Sequence, residues 1–107
     1  MLNLIRVIIK PRGRNMKMIE INNVKYEIIR NDENCLNKED LTEKITEYFD
    51  SYDYIMGDFA YDKVRLKGFY ESTNKNCKKI NDIKYLEDYI KDYCNYGSKI
   101  FVIKKAK

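Results

Sequence analysis

Apolar and polar residues alternate on both sides of Asn22-Asn23, a pattern that indicates a β-hairpin. Met18–Ile21 precedes the asparagine pair and Val24–Arg30 follows it. Asparagine tolerates the positive φ angles of a tight two-residue turn, and period-two alternation is the spacing of a strand with one buried face. The chain is therefore predicted to form two antiparallel strands here.

A second pair of alternating segments, Tyr54–Asp58 and Lys63–Phe69, predicts a second hairpin. We take Phe59-Ala60-Tyr61-Asp62 as its turn, which would place Asp58 opposite Lys63. One face of this hairpin is mostly apolar and is predicted to be core; it carries Ile55, Gly57, Val64, Leu66 and Gly68. The glycines would leave room for a helix to approach the sheet closely. The opposite face carries Tyr54, Met56, Asp58, Lys63, Arg65, Lys67 and Phe69.

Apolar residues at three- and four-residue spacing predict two helices. The first helix begins after Asn37 as its N-cap, and its apolar face comprises Leu41, Ile45, Tyr48, Phe49 and Tyr52. The second extends from about Asp82 to Asn95, with Gly97 as a left-handed C-terminal cap. The continuous apolar run Ile100–Ile103 then predicts a strand with both faces covered.

These elements follow the order ββ-α-ββ-α-β along 107 residues, a length that suits a single small domain. The order predicts an α+β fold with a mainly antiparallel sheet and two helices. We expect both helices to pack on one face of the sheet.

The stretch Tyr52–Tyr70, YDYIMGDFAYDKVRLKGFY, is the most particular part of the chain. Together with YCNYG at Tyr93–Gly97 and the following Phe101-Val102, it resembles the YutD-like family, small cytosolic proteins of low-GC Gram-positive bacteria. Tyr96 stands where relatives usually have phenylalanine, and Phe59-Ala60 replaces a bulkier turn. The family has no established biochemical function, so the resemblance implies a fold and assigns no catalytic residues.

The resemblance covers Met18 to Lys104 and leaves residues 1–17 outside the YutD-like domain, which we place at 18–107. Those first 17 residues carry five basic and no acidic residues, so the rest of the chain is close to neutral despite a formal net charge of +4. Two interpretations stay open. Translation starts at Met16 or Met18 and 1–17 is a mis-called extension, or the segment is a basic arm in which Leu2 to Ile9 adds an edge strand.

Several classes of function are disfavoured by composition. The chain has no histidine, the commonest general base at neutral pH, and its three cysteines, Cys35, Cys77 and Cys94, lack CxxC spacing. We therefore expect no metal, no cofactor and no disulfide framework, and an enzyme is the less favoured class. Because no apolar run reaches the roughly 18 residues of a membrane span, we expect a cytoplasmic protein with no membrane partner.

Asp58, Tyr61 and Arg65 are the first candidate site. In the predicted register Asp58 and Arg65 lie diagonally on one face, with Tyr61 in the adjoining turn. A carboxylate, a phenol and a guanidinium that converge could bind an anion or a polar ligand. The favoured alternative is an exposed cross-strand ion pair beside a packed tyrosine, which stabilises a fold by only about 0–1 kcal/mol.

Tyr54, Arg65, Lys67 and Phe69 form a second candidate site. Aromatic and basic residues interleaved on a sheet face are typical of surfaces that stack and hold single-stranded RNA. Asp58 weakens the positive field there, and a second layer of protein could equally cover the face. Cys94 is a third candidate, although apolar neighbours favour an inert thiol.

Ten tyrosines and no tryptophan favour a contact surface, since tyrosine combines a large apolar body with a polar tip. Six of them lie on or beside the predicted helices: Tyr48, Tyr52, Tyr85, Tyr89, Tyr93 and Tyr96. The first hypothesis is accordingly a non-enzymatic binding module or regulatory adaptor that contacts a protein partner. The alternative is an RNA- or ribosome-associated protein that uses the basic-aromatic sheet face. Neither hypothesis fixes an oligomeric state.

Overall fold

Alternating strands and short amphipathic segments assemble into one antiparallel sheet with helices on it. The structure, a computed structural model, describes residues 17–106. Its strands are β1 (Met18–Ile21), β2 (Val24–Asn31), β3 (Tyr54–Ala60), β4 (Lys63–Phe69) and β5 (Lys99–Lys105), in the spatial order β1-β2-β5-β3-β4. Its α-helices are α1 (Lys38–Lys44) and α2 (Leu86–Tyr93). The predicted α+β fold and its element order are confirmed, whereas both interpretations of residues 1–17 concern a segment almost wholly outside the described residues.

The first hairpin forms as predicted. Ile21 pairs with Val24. The two residues that join them, Asn22 and Asn23, adopt φ angles of 52° and 68°. The Asn22 side-chain amide also donates hydrogen bonds to the carbonyl oxygens of Thr42 (3.1 Å) and Ile45 (2.9 Å). These carbonyls lie at the C-terminal end of α1, where no further helical turn can satisfy them. The turn therefore ties the hairpin to the helix.

The predicted turn of the second hairpin is wrong in length. Tyr61 and Asp62 alone form the turn, with φ angles of 54° and 61°, and Ala60 pairs with Lys63. Asp58 consequently lies directly opposite Arg65 and not opposite Lys63. Because the register differs by two residues, each side chain keeps its predicted face.

Both helices are shorter than predicted. Ile45 and Thr46 adopt extended backbone angles after α1, and a separate 3-10 turn follows at Glu47–Phe49. The Thr46 hydroxyl caps that turn by accepting from the Tyr48 amide at 3.4 Å; a β-branched residue that can bond its own backbone favours such a break. The predicted N-cap is confirmed, because the Asn37 side chain accepts from the Asp40 amide at 3.1 Å.

In the second predicted helix the break is at the start, because two 3-10 turns, at Lys79–Asn81 and Ile83–Tyr85, precede α2. Its last turn closes with a hydrogen bond from the Cys94 amide to Ile90. Gly97 has the predicted left-handed conformation, with φ of 86°. It lies in a turn beyond the helix end, where the Ser98 amide bonds to Asn95.

The two helices pack on opposite faces of the sheet, so the expectation that they share one face is wrong. The physical reason lies in β5, a central strand whose residues Ile100–Ile103 are all buried. Alternate side chains of this strand need an apolar cover on each side. On the α1 face the core comprises Ile21, Tyr26, Leu41, Ile45, Phe49, Ile55, Phe101 and Ile103. On the α2 face it comprises Met56, Phe69, Ile100 and Val102, with Leu86, Tyr89 and Ile90 against them.

The hairpin glycines make room for aromatic rings and not for a helix. A Cβ atom on Gly57 would lie well under 3.0 Å from the ring of Phe101, its partner on β5. One on Gly68 would meet the ring of Tyr52 as closely. Real Cβ atoms do not approach so near, so each ring occupies the space of a missing side chain.

Candidate functional site

Asp58 and Arg65 form a two-pronged ion pair across the second hairpin. Arg65 donates from Nε to Oδ1 of Asp58 at 3.1 Å and from Nη2 to Oδ2 at 2.6 Å. The carboxylate is buried, at 2% exposure, whereas the arginine side chain is 60% exposed. This geometry differs from the exposed ion pair of the sequence analysis, because one partner is taken out of water and the other is not.

Cys94 and the end of α2 complete this cluster. Arg65 donates a third bond to the Tyr93 carbonyl oxygen at 3.3 Å, and Cys94 follows Tyr93 at the end of the helix. Burial acts to raise the pKa of Asp58, but its interactions with Arg65 and with the Cys94 thiol outweigh burial and hold that pKa below its ordinary value. Burial, with the nearby carboxylate, raises the pKa of Cys94 to about 12. The thiol is therefore protonated at neutral pH, a poor state for a nucleophile.

Tyr61 does not join Asp58 and Arg65. Its side chain is 82% exposed at the tip of the hairpin. It lines an open groove of about 340 Å³, formed by Phe59–Asp62 and the loop Asn95–Lys99, in which Tyr96 is fully exposed. Of the first predicted trio, the structure thus brings together the two charged residues and leaves the phenol in a separate place.

The second predicted set lies largely beneath α2. Phe69 is buried and meets the Tyr89 ring edge-on, with ring centroids 5.7 Å apart. Lys67 places its Nζ 5.1 Å from the Phe69 ring centroid, and burial lowers the pKa of this lysine. The Tyr54 hydroxyl donates to Glu71 at 2.9 Å. Neither aromatic ring of this set forms an open stacking platform. The face is instead covered by a second layer of protein, which is the alternative given in the sequence analysis.

A further groove was missed by the sequence analysis. It has a volume of about 430 Å³ between the Lys79–Asn81 turn and α2, and we call it the helix groove; its lining is Lys79, Ile80, Tyr85, Asp88, Tyr89, Asp92 and Tyr93. Ile80 is 69% exposed there. Its sequence signal is Asp88 and Asp92 at four-residue spacing beside Tyr89 and Tyr93.

Two further kinds of site, a metal cluster and a membrane-spanning helix, are both absent from the part of the chain that the structure describes. Within residues 17–106, no group of three or more cysteine, aspartate or glutamate side chains is arranged to hold a metal ion. Neither α1 nor α2 is long and apolar enough to cross a membrane.

The fold and this site define a class of small α+β domain, in which a five-stranded antiparallel sheet carries a helix on each face and a charged hairpin at one edge. The chain belongs to the YutD-like family: the family model described as "Putative antitoxin YutD-like" matches residues 20–104. The family resemblance of the sequence analysis is thereby confirmed.

Two comparisons with individual proteins agree with the family model. The chain is 36% identical over 90 residues to the "Putative antitoxin YutD" of Bacillus subtilis (strain 168), across 84% of this chain and 99% of that protein. It is also similar to the solution NMR structure of protein yutD from B. subtilis. The TM-score is 0.69 at 34% identity, with 90% of this chain and 87% of that chain covered.

Proposed function

We propose that this protein is a small cytoplasmic, non-enzymatic binding module or regulatory adaptor that acts by contacting a partner protein. The B. subtilis relative carries the name "Putative antitoxin YutD". An antitoxin needs a toxin to act on, so an activity of that kind in this chain would depend on contact with another protein. The hairpin Tyr54–Phe69 and the adjoining end of α2 are the surface that we assign to this contact.

The backbone of Tyr61 is the observation that carries this proposal. Tyr61 has a φ of 54° in a two-residue turn where glycine, asparagine or aspartate is favoured, because a bulky side chain strains the left-handed backbone. The residue is also 82% exposed. Backbone strain and an exposed aromatic ring do not stabilise the fold, and such strain is typical of functional sites. Tyr96, at 106% exposure, lines the same groove and enlarges the aromatic surface.

The charged cluster favours binding over catalysis. Asp58 is held in an ion pair with Arg65 that keeps its pKa low, and Cys94 has a raised pKa. Neither group is thus tuned as a general base or a nucleophile near neutral pH. Arg65 nevertheless keeps most of its side chain in solvent, so it can meet a partner while it stays paired.

Affinity capture of the tagged protein from its own cells, with and without RNase, tests the proposal. We expect a stoichiometric partner protein that survives RNase and is lost from the Tyr61→Ala/Tyr96→Ala variant. Tyr48→Ala is the matched control, because Tyr48 is also exposed but lies beyond α1. A captured species that disappears on RNase treatment would contradict a protein partner. Partner binding unchanged by Arg65→Ala, with folding intact, would remove Arg65 from the contact surface.

A further inference from the structure

The outer edge of β4 is an open edge of the sheet within the second hairpin. β4 is the last strand in the spatial order, and within residues 17–106 it pairs only with β3. Because Ala60 and Lys63 close a two-residue turn, they and every second pair below them exchange hydrogen bonds across the hairpin. The amide and carbonyl groups of Val64 and Leu66 therefore point away from β3. No other backbone hydrogen bond in the described chain reaches them.

The molecule itself uses the far end of this edge for strand pairing. Tyr70, which follows β4, donates from its amide to the Asn81 carbonyl oxygen at 2.7 Å and accepts from the Ile83 amide at 2.9 Å. The two bonds form a parallel β-bridge. Tyr70 lies an even number of residues from Leu66, so by alternation the backbone groups of both residues face outward. The edge thus binds an extended segment at Tyr70, and the same geometry continues along β4.

Two lysines of β4 carry positive charge that no acid in the described chain offsets. Lys63, Arg65 and Lys67 alternate along one face of the strand. Asp58 pairs with Arg65, but neither lysine forms a salt bridge with any acid in residues 17–106. Burial lowers the pKa of Lys67, and no carboxylate is among the groups that counteract this. A strand added to this edge would therefore lie beside two cations without acidic partners.

Like charge disfavours two other occupants of this edge. A second copy paired through β4 would bring only basic side chains to the shared face, because Lys63, Arg65 and Lys67 are the charged residues of that strand. The chain's own residues 1–17 carry five basic and no acidic residues. A strand with carboxylates at alternate positions would instead place them about 5 Å from the lysines, measured between Cβ atoms.

We infer that an extended acidic segment of the partner protein pairs with the outer edge of β4 as a sixth strand, an inference that rests on the proposed function. Its backbone satisfies the outward amide and carbonyl groups of Val64 and Leu66. Its carboxylates lie beside Lys63 and Lys67. Its apolar side chains, at the intervening positions, cover the half-buried side chains of Val64 and Leu66. The occupant is thus a segment in which aspartate or glutamate alternates with apolar residues.

A titration with a short peptide of alternating glutamate and valine, followed by backbone amide NMR, tests this inference. We expect chemical-shift changes at Val64 and Leu66 and slower hydrogen exchange of their amides, because new hydrogen bonds protect them. A peptide of alternating lysine and valine should not bind. Binding of both peptides alike, or exchange at Val64 and Leu66 unchanged at saturation, would contradict pairing along β4.

Two kinds of variant separate charge from backbone pairing. Lys63→Gln/Lys67→Gln should bind the acidic peptide about fivefold to tenfold more weakly, from two partly exposed ion pairs. Lys25→Gln/Lys44→Gln is the matched control, because it removes equal charge from exposed positions in β2 and α1 and should bind as the native protein does. Val64→Pro removes one outward amide from an edge strand, where proline is tolerated, and should abolish binding.

Equal weakening by the two lysine variants would overturn the inference, since the peptide would then sense only net charge. Full binding by a folded Val64→Pro variant would also overturn it. If that variant does not fold, the exchange rates of the native protein decide the backbone pairing. Slower exchange at Val64 and Leu66 as the protein alone is concentrated would identify a second copy as the occupant and refute an acidic partner segment.

The capture experiment separates this failure from a failure of the proposed function. A partner protein retained in full by Lys63→Gln/Lys67→Gln would refute the acidic strand on β4 and leave the proposed function intact. No partner with any form of the protein would refute the proposed function, while the peptide titration would still decide the chemistry of the edge.

Discussion

The two hairpins share a backbone geometry and differ in what their turns do. Both close with two residues at positive φ, Asn22-Asn23 in the first and Tyr61-Asp62 in the second. The Asn22 side chain bonds to two carbonyl oxygens at the end of α1. Tyr61 instead extends its ring into solvent. The side chain of the first turn thus stabilises the fold. The second turn instead has a tyrosine at a position where glycine, asparagine or aspartate would be more stable.

The strands below these turns show a related contrast. In the first hairpin, buried side chains such as Ile21 and Tyr26 point into the α1-side core. In the second hairpin, Gly57 leaves its space to Phe101, and the opposite face buries the Asp58 carboxylate. The second hairpin therefore concentrates close approach, buried charge and backbone strain.

The largest expected effect is on the close approach at Gly57. Gly57→Ala places a methyl group within the Phe101 ring, and because β3 and β5 are paired at this position, neither strand can move away cheaply. We expect a loss of about 3 kcal/mol in the free energy of unfolding, measured by urea denaturation.

Gly97→Ala is the control for this change. Its new methyl group would meet no atom within 4 Å, so only the positive φ of 86° opposes it. We expect a loss of about 1 kcal/mol. If the two glycine variants were equally destabilised, overlap with Phe101 would not be the reason that position 57 is glycine.

A smaller effect is expected at Asn22, which anchors the first hairpin. Asn22→Ala removes both hydrogen bonds to α1 and strains the left-handed backbone, and we expect it to cost about 2 kcal/mol in the free energy of unfolding. Asn22→Gly keeps the backbone angle and loses only the side chain, so its cost should be about half as large. If Asn22→Gly were as stable as the native protein, the two bonds would contribute nothing.

The ion pair of the second hairpin should show its contribution in the pH dependence of stability. The pKa of Asp58 lies below its ordinary value of 3.8 when the protein is folded, so its stabilising contribution is present above that value and is lost as the pH falls through the folded pKa. In Arg65→Met, burial would dominate and raise the pKa of Asp58. The carboxylate then destabilises the fold at neutral pH, and acidification relieves this.

Urea denaturation at pH 7, 5 and 3 measures this difference. We expect Arg65→Met to be about 1–2 kcal/mol less stable than the native protein at pH 7, less than for a fully buried pair, because Arg65 is largely exposed. The gap should narrow at pH 3. Lys63→Met removes an equal charge from the same strand face and should change little at any pH. A gap that did not depend on pH would show that packing, and not charge, links Arg65 to Asp58.

Local patterns predicted the strands and the first turn because alternation and asparagine act through near neighbours. The same patterns failed where the cause is distant. The carbonyl oxygens left open where α1 ends are satisfied by Asn22, which lies twenty residues or more away from them along the chain. The placement of the two helices on opposite faces depends on β5 entering the middle of the sheet. No window of sequence contains either relation.

The candidate site was predicted in part for the same reason. Asp58 and Arg65 could be placed on one face from alternation alone, but their direct pairing required the true turn length. The cover over Phe69 required the packing of α2, which strand patterns do not contain. The helix groove combines α2 with Ile80, a residue in the preceding turn, so helical periodicity alone could not define its shape.

The smallest change in stability, and the one that bears most directly on function, is expected at Tyr61. Tyr61→Asn places a residue that tolerates positive φ in the second turn and should raise the free energy of unfolding by about 0.5–1 kcal/mol. We expect the same variant to capture less of the partner protein, because the exposed ring is lost. Asp62→Gly relieves strain at the neighbouring position and keeps the ring, so it should gain stability without losing the partner. If Tyr61→Asn gained stability and kept full partner binding, the tyrosine would have no part in the contact, and the contrast between the two turns would have no functional meaning.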